Sequence, residues 1–512
     1  LSDSIESRLV ITNGQVGKYL CLSYCWGLSP GITTTYDSVH IHTKGVPDEC
    51  LPATLRDAIC ITRRLGYKYL WIDALCILQP RPGIKNDPEA FKDWQNQSSK
   101  MADIYGNAFL TIIAADATDK DQGCFIARVR DPNICRVSLG DNDTSEIFAR
   151  EYYLNPLRKA TIETRAWTFQ EMALSPRKLI FGRELSFQCR TCTYWERMQS
   201  PSPIPGPGTI WAAKASLFKP PIEKSSTIVN WRVDDTNIFS GPKPTKSQLT
   251  LRDHTIVQWY TSLDFQFCGR QLTNEMDILP ALSGVAHRVQ DIIGGEYYAG
   301  IWEFDLPRGL LWKPKRPLHI GKDRWLTRPT RYRAPSWSWA SVKGQINYGF
   351  YERQLKIWEK ERDKYPCQIL EVKTELVGPV YDPMGQVSGG WIKICAPVKN
   401  AIFVPTTVNP FKIEVRDSHG NVRLFDMQGN DNLLVGADVP DRSDPQAVGA
   451  IGNFDTAEEC PENLLCVLLT MKEGLLLIRV NDSSEEFRRV GIFKLHRISW
   501  FEGYGNQNLT II

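Results

Sequence analysis

Two carboxylates stand where a folded chain has least use for charge. Asp73 interrupts the apolar run KYLWIDALCILQ (68–79), and Glu171 lies in TRAWTFQEMAL (164–174). In the second stretch Trp167, Gln170, Glu171 and Leu174 recur at i, i+3, i+4 and i+7, one face of a helix. A carboxylate in apolar surroundings is costly unless it is paired or hydrogen-bonded, so each needs a partner or a cleft. For Asp73 the two readings are an ion pair with Arg165 or Arg177, and duty in a ligand site. For Glu171 they are a structural role, either pairing or the capping box Thr168-x-x-Glu171, and a carboxylate that faces a ligand. Cys76, three residues beyond Asp73, reads as a small core thiol rather than a nucleophile, because no His lies near it in sequence.

Such residues need a frame. KYLCLSYCWG (18–27), FLTIIAAD (109–116) and the end of TRAWTFQEMALSPRKLIFG (164–182) are further apolar runs with strand character. LPATLRDAICITRRLG (51–66) repeats Leu55, Ile59, Thr62 and Leu65 at helical spacing, with Pro52 suited to a first turn and Gly66 to a stop. DWQNQSSKMADIYGNA (93–108) reads as one helix with Trp94, Met101 and Tyr105 inward. Strands apolar on both faces, alternating with helices, predict an α/β fold with a parallel sheet covered on both sides. Function gathers at the carboxyl ends of such strands. Ser23 and Tyr24 end one strand, Asp73 ends a central neighbour, and Asp116 closes a third. Asp73 is therefore expected at a strand tip, facing a crevice beside Ser23 and Tyr24.

The sequence divides into four stretches. Residues 1–195 hold the α/β domain, and 196–265 a linker and variable insertion that includes the Pro-rich SPSPIPGPG (200–208). Residues 266–345 form a helical region with a strand at APSWSWASVKG, and 346–512 a β-rich antiparallel domain.

Composition excludes several classes. A chain of 512 residues, 42% hydrophobic and 23% charged, is ordinary globular protein. A net charge of +3 makes a nucleic-acid partner an unlikely reading. The basic stretch 308–333, with Trp312 and Trp325 interleaved, reads as a solvated loop rather than an RNA surface. Fourteen scattered Cys and seven dispersed His form neither a disulfide scaffold nor a zinc constellation. Cys189 and Cys192 make a single CxxC, read as buried or incidental thiols rather than a redox or metal site, with no structural zinc expected. Gly-rich phosphate loops, the G-x-S-x-G elbow and H-E-x-x-H are missing. No apolar run reaches the roughly 18 residues of a membrane span, and residues 1–20 lack a signal-peptide pattern. The expected compartment is the cytoplasm, with an upstream segment left open because the chain begins at Leu1.

YLCLSYCWG, LPATLRDAICITRRLGYKYLWIDALCILQ, DWQNQSSKMADIYGNAFLTIIAADATDKDQGCF and TRAWTFQEMALSPRKLIFG, in this order and spacing, resemble the heterokaryon incompatibility (HET) domain of filamentous fungi. The likeness is dense over about 18–192 and thinner in YYAGIWEFDLPRGLLW and YRAPSWSWAS. Where the family usually has Gly, this chain has Ala166. The resemblance implies self/non-self recognition after cell fusion, programmed cell death, and a flavodoxin-like sheet shared with Toll/interleukin receptor-like (TIR) domains. Some TIR domains cleave NAD with a helix Glu. RAWTFQE (165–171) is similar to their Trp-to-Glu stretch, which makes Glu171 the equivalent carboxylate, with Asp73 as the second candidate catalytic residue. Ser23, Tyr24, Trp26, Cys76, Arg165, Trp167 and Gln170 are then the candidate substrate-binding residues. A fixed carboxylate can hold ribose hydroxyls and stabilise an oxocarbenium ion, and Trp26 or Trp167 can stack on nicotinamide. No cofactor or metal is required, and NAD is a candidate substrate. The implied partners are a second copy through the HET domain and an incompatibility protein of unknown identity, with no membrane. Two other readings stand beside the NAD glycohydrolase: a non-catalytic signalling or oligomerisation module, and a biosynthetic or metabolic enzyme on the same fold.

Overall fold

The computed structural model describes residues 6–126 except Pro30 and Lys85, and residues 160–196, 250–315, 326–349, 361–377, 382–405, 450–456, 463–495 and 501–512, together with strand backbone at 135–138, 146–149, 202–203, 412–417, 422–426 and 433–435. The chain forms two compact units, Leu1–Val233 and Asp234–Ile512.

The first unit carries β1 (Tyr19–Ser23), β2 (Tyr69–Trp71), β3 (Leu110–Ala114), β4 (Cys135–Ser138), β5 (Glu146–Ala149), β6 (Arg177–Phe181), β7 (Leu185–Cys189), β8 (Cys192–Trp195) and β9 (Ser202–Pro203). Its helices are α1 (Val39–His42), α2 (Ala53–Arg64), α3 (Asp73–Cys76), α4 (Pro88–Ser98), α5 (Met101–Asn107) and α6 (Thr168–Leu174). One sheet runs in the order β2-β1-β3-β6-β7-β8-β9, while β4 and β5 pair with each other. The first four strands of that order are parallel, as the apolar runs predict. From β6 onward the sheet is antiparallel, because short hairpins return the chain without a crossover helix. The fold is thus mixed rather than wholly parallel.

Both faces of the parallel part are covered. Leu20, Leu22, Leu110 and Ile112 point to one side and pack on Leu55, Ala58 and Ile61 of α2. Ile113, Ala115 and Ile180 point to the other and pack with Ile162 and Met172. Gly66, at φ +78°, ends α2 as the sequence indicates. Pro52 caps the helix rather than entering it.

Three expectations about elements change. The run 68–79 is not one strand: β2 stops at Trp71, and Asp73–Cys76 make a helical turn. β2 is also the edge of the sheet, not a central strand. The stretch 93–108 is two helices, broken at Ser99 and Lys100. There the hydroxyls of Ser98 and Ser99 bond back to Gln95 O and Asn96 O, competing with the helix ladder. The stretch 164–174 begins as a 3-10 turn, Thr161–Thr164, passes through extended Arg165, and becomes helical only at Thr168.

The second unit opens with helix Leu251–Ser262, started by a capping box between Thr250 and Asp253. Helix Pro280–Ile293 follows, where the periodicity of 275–295 predicts one. APSWSWASVKG is not a strand. It bends into a 3-10 turn at Trp339–Ser341, and Trp337 and Trp339 are both buried through separate contacts. Trp339 donates Nε1–H to Gly300 O at 3.0 Å, and Trp312 donates to Trp337 O at 2.9 Å. The remaining strands form a ten-stranded, barrel-like sheet. Val387–Pro405 pairs with Asn463–Leu468, which pairs with Glu473–Arg479, then Glu486–Leu495, then Asn506–Ile511, which returns to Val387–Pro405. Every pairing in this ring is antiparallel except that of the last two strands, so the unit is mainly antiparallel, as the sequence suggests. Closing the ring leaves those strands no free edge.

Arg489 sits at the centre of this unit. It pairs with Asp455 at 2.9 Å, both fully buried, and also donates to the carbonyls of Leu310 and Trp312. Within the basic stretch, Arg333 is buried with its guanidinium on the carbonyls of Ala340 and Val342, and Arg328 donates to Arg489 O. These cations are structural donors rather than a solvated loop. Residues 316–325 lie outside the described residues, as do 200–201 and 204–249 of the predicted linker and insertion.

Candidate functional site

The site grows from the carboxyl ends of β1 and β2. Their register pairs Tyr19 with Tyr69 and Cys21 with Trp71. Two residues further on, Ser23 is level with Asp73, so the strand-tip position follows from the register although the strand is an edge. Past Trp71 the backbone closes a single turn, with Cys76 N–H on Ile72 O at 2.8 Å and Ile77 N–H on Asp73 O at 3.1 Å. Asp73 Oδ1 accepts from Ala74 N–H at 2.7 Å, which favours the turn over a continued strand. Its other oxygen accepts from Trp26 Nε1–H at 2.9 Å.

Trp26 reaches Asp73 because Gly27 turns the chain at φ +76°. A Cβ on Gly27 would lie 2.4 Å from Asp119 Cβ, so only glycine fits there.

Glu171 arrives from α6, all seven residues of which are buried. The helix is held by its own side chains. Ser175 Oγ bonds Glu171 O at 2.6 Å and Thr111 Oγ1 on β3 at 2.6 Å. Thr168 Oγ1 bonds back to Arg165 O at 2.8 Å and to Ile162 O. The residue before the helix is Trp167, with no side-chain cap, so the capping-box reading of Glu171 is wrong. The Glu171 carboxyl instead sits among the hydroxyls of Ser23 and Tyr105, close to Asp73 and Arg165. Tyr105 donates to Leu22 O at 3.1 Å. Ser23 Oγ is buried beside Glu171 but makes no hydrogen bond of regular geometry.

The electrostatics follow from enclosure. Burial pushes Glu171 up to about 7, and the charge of Asp73 adds to it, against the lowering effect of Ser23, Arg165 and Tyr105. Burial likewise raises Asp73 to about 6, held down by Trp26, Ala74 N–H and Arg165. Asp73 keeps some exposure as a residue while its carboxyl is enclosed. The charge of Asp73 thus adds to the cost of ionising Glu171, and the nearby Arg165 offsets part of it. Burial also lifts Tyr24 and Cys25, and Arg165 opposes both shifts. Cys76 is pushed up to about 11 by burial, which leaves it a protonated thiol and not a nucleophile.

Of the residues named from sequence, Asp73, Glu171, Ser23, Tyr24, Trp26, Cys76 and Arg165 are brought together here. Trp167 faces Trp94 edge-on at 6.1 Å, and Trp94 stacks with the half-exposed Phe91 at 6.2 Å. Gln170 is fully buried beside Glu171 in α6. Arg177 lies at the start of β6, over the Phe109 ring at 4.9 Å, and is no partner of Asp73. Asp116, beyond the tip of β3, answers to Arg183 instead. Sequence marks Tyr105 only as a core residue, and its phenol is the member of the site that periodicity does not reveal. Its inward position is legible in helical spacing, but its hydroxyl meets Leu22 and Glu171 only through the tertiary fold.

Residues 19–171 match the heterokaryon incompatibility protein (HET) family. The chain carries a HET domain. Its function is accordingly related to heterokaryon incompatibility. The matched stretch opens on β1 and closes on Glu171, so every strand tip and carboxylate just described lies inside the HET domain. No curated protein and no solved structure matches the chain. Among the described residues no group of three or more His, Cys, Asp or Glu could hold a metal ion, and no helix is long and apolar enough to cross a membrane.

Proposed function

We propose that this HET-domain protein is an incompatibility effector that triggers cell death by hydrolysing NAD at the nicotinamide–ribose bond, with Glu171 as the carboxylate at the ribose. The observation that carries this reading is the enclosed pair Glu171 and Asp73, with the buried Ser23 hydroxyl beside Glu171. Nicotinamide leaves as a neutral base, so its departure needs no general acid. What the reaction needs is negative charge at the ribose as oxocarbenium character develops. Ionised Glu171 supplies that charge and accepts from the ribose hydroxyls. Ser23 Oγ is available to the same hydroxyls. Burial first, and then the charge of Asp73, itself fixed by Trp26 and Ala74 N–H, raise Glu171 toward neutral pH. Water then adds to the ribose carbon, giving nicotinamide, ADP-ribose and a proton. The likeness of RAWTFQE to the TIR stretch supports the same assignment.

The test is incubation of the purified chain with NAD and chromatographic measurement of nicotinamide and ADP-ribose. Turnover should be present in the parent and reduced about 100-fold or more in a Glu171→Gln protein that melts normally. A folded parent protein that releases no nicotinamide, or a Glu171→Gln protein with unchanged turnover, overturns the enzymatic reading and favours a non-catalytic signalling module.

A further inference from the structure

The CxxC at residues 189–192 is not used by the site above, and the sheet places it in an unusual position. β7 and β8 pair Ser186 with Trp195, Phe187 with Tyr194 and Gln188 with Thr193. The same register puts Cys189 directly opposite Cys192, across a two-residue turn of Arg190 and Thr191. Opposed residues of an antiparallel pair have Cα atoms roughly 4.5–5.5 Å apart. Disulfides span about 4.4–6.8 Å between Cα atoms, so the backbone already meets the requirement of a bridge. The two sulfurs are 3.6 Å apart and unbridged. Both cysteines are half-buried, and Thr191 between them is exposed, so reagents can reach the turn. This differs from Cys21, Cys124, Cys268, Cys367 and Cys466, which are buried.

We propose that Cys189 and Cys192 are a reversible dithiol–disulfide site, oxidised by low-molecular-weight disulfides and closed across the β7–β8 hairpin. Cys189 is the attacking sulfur. Burial raises its pKa, but the Thr191 hydroxyl at 3.2 Å, the N–H groups of Thr191 and Cys192, and the Cys192 thiol bring it down to about 7. Cys192 is raised by its hydrogen bond to Cys189 and stays protonated. An attacking thiol with a pKa near ambient pH is the most effective. In the first step Cys189 thiolate forms a bond to one sulfur of the oxidant RSSR, and the oxidant's S–S bond breaks to release RS⁻. In the second step Cys192 loses its proton and attacks Cys189 Sγ, expelling the second RS⁻. Two protein thiols become one disulfide, and RSSR takes up two electrons and two protons to give two RSH. The site is separate from the carboxylates. Cys189 pairs with Arg177 at the amino end of β6, whereas Ser23 and Asp73 lie at the carboxyl ends of the parallel strands.

The test uses the full chain, reduced, desalted and exposed to oxidised glutathione, then alkylated and mapped by mass spectrometry without reduction. The parent should yield a peptide about 2 Da lighter than its dithiol form, bridged within residues 189–192, and a dithiol reductant should restore it. Cys192→Ser should stop at a glutathione mixed disulfide on Cys189. Cys189→Ser should form neither product at a comparable rate. A 189–192 peptide that stays a free dithiol while other cysteines are modified, or a Cys192→Ser protein that traps no glutathione at Cys189, overturns the proposal. Near-native circular dichroism of both Ser variants, recorded alongside, ensures that a negative result reports chemistry and not misfolding.

Discussion

Replacing Glu171 by Gln separates a carboxylate kept for function from one kept for the fold. Burial, and then the charge of Asp73, hold this group at about 7 instead of 4.5. One pKa unit corresponds to about 1.4 kcal/mol, so ionised Glu171 costs the folded state roughly 3 kcal/mol. Because the folded value is raised, the favourable balance is intact below the unfolded value of 4.5 and is lost as pH climbs through about 7. Gln has no proton to lose. The variant should therefore match the parent within about 0.5 kcal/mol near pH 4.5 and exceed it by about 2–3 kcal/mol at pH 8. For a unit of this size that is roughly 5–10 °C in Tm. Thermal unfolding followed by tryptophan fluorescence at the two pH values reads the difference, and NAD turnover on the same samples reads function. Higher stability with lost turnover is the expected pair of results. A variant less stable than the parent at pH 8 refutes the reasoning, since it means that Glu171 serves as the anionic half of an ion pair with Arg165.

Three further outcomes follow from the geometry. Trp26→Phe removes a hydrogen bond that lowers the Asp73 pKa. Asp73 then stays neutral to a higher pH and repels Glu171 less, so the acid limb of the pH–rate profile, set by Glu171, should move to lower pH, and stability should fall by about 1–3 kcal/mol; an unmoved limb means that the Asp73 charge does not tune Glu171. Gly27→Ala adds a methyl 2.4 Å from Asp119 Cβ at positive φ, whereas Gly66→Ala, also at positive φ, meets nothing within 4 Å. Denaturant midpoints should show a loss of about 1 kcal/mol at Gly66 and clearly more at Gly27, and equal losses would show that the Asp119 contact is not limiting. Arg489→Met strands the buried Asp455 and should cost about 3–5 kcal/mol, with much of it regained in the double variant Arg489→Met, Asp455→Leu. A harmless single variant would mean that Asp455 finds another partner.

Sequence revealed the frame better than its joints. β1 and β3 are legible because each is apolar on both faces, and only a strand buried on both sides needs that. Residues 72–77 are ambiguous in sequence because a short apolar run fits a strand and a buried helical turn equally. The deciding bond, Asp73 Oδ1 to Ala74 N–H, is a matter of one rotamer. Thr168 carries the right spacing for a cap, yet its hydroxyl is spent on the carbonyls of Ile162 and Arg165, which come near only once the 3-10 turn has formed. Trp337 and Trp339 mimic strand alternation because both are buried, but a turn at Trp337 and a 3-10 turn from Trp339 bring them there. That Asp73 lies beside Ser23 could be argued from sheet topology. That Glu171 lies there too could not, since it depends on how α6 is docked by Ser175 and Thr111 across a gap of many residues.

The order in which these groups are encoded has a temporal meaning. Ser23, Trp26 and Asp73 leave the ribosome before Glu171, which follows about a hundred residues after Asp73. At ordinary elongation speeds that is roughly 5–20 s during which the pocket lacks its second carboxylate. Any chain cut short before residue 171 by a premature stop, an abandoned message or a protease lacks that carboxylate for good. If Glu171 carries the proposed reaction, chains that stop before it are inactive, and the last helix of the HET domain acts as the safety catch on its synthesis.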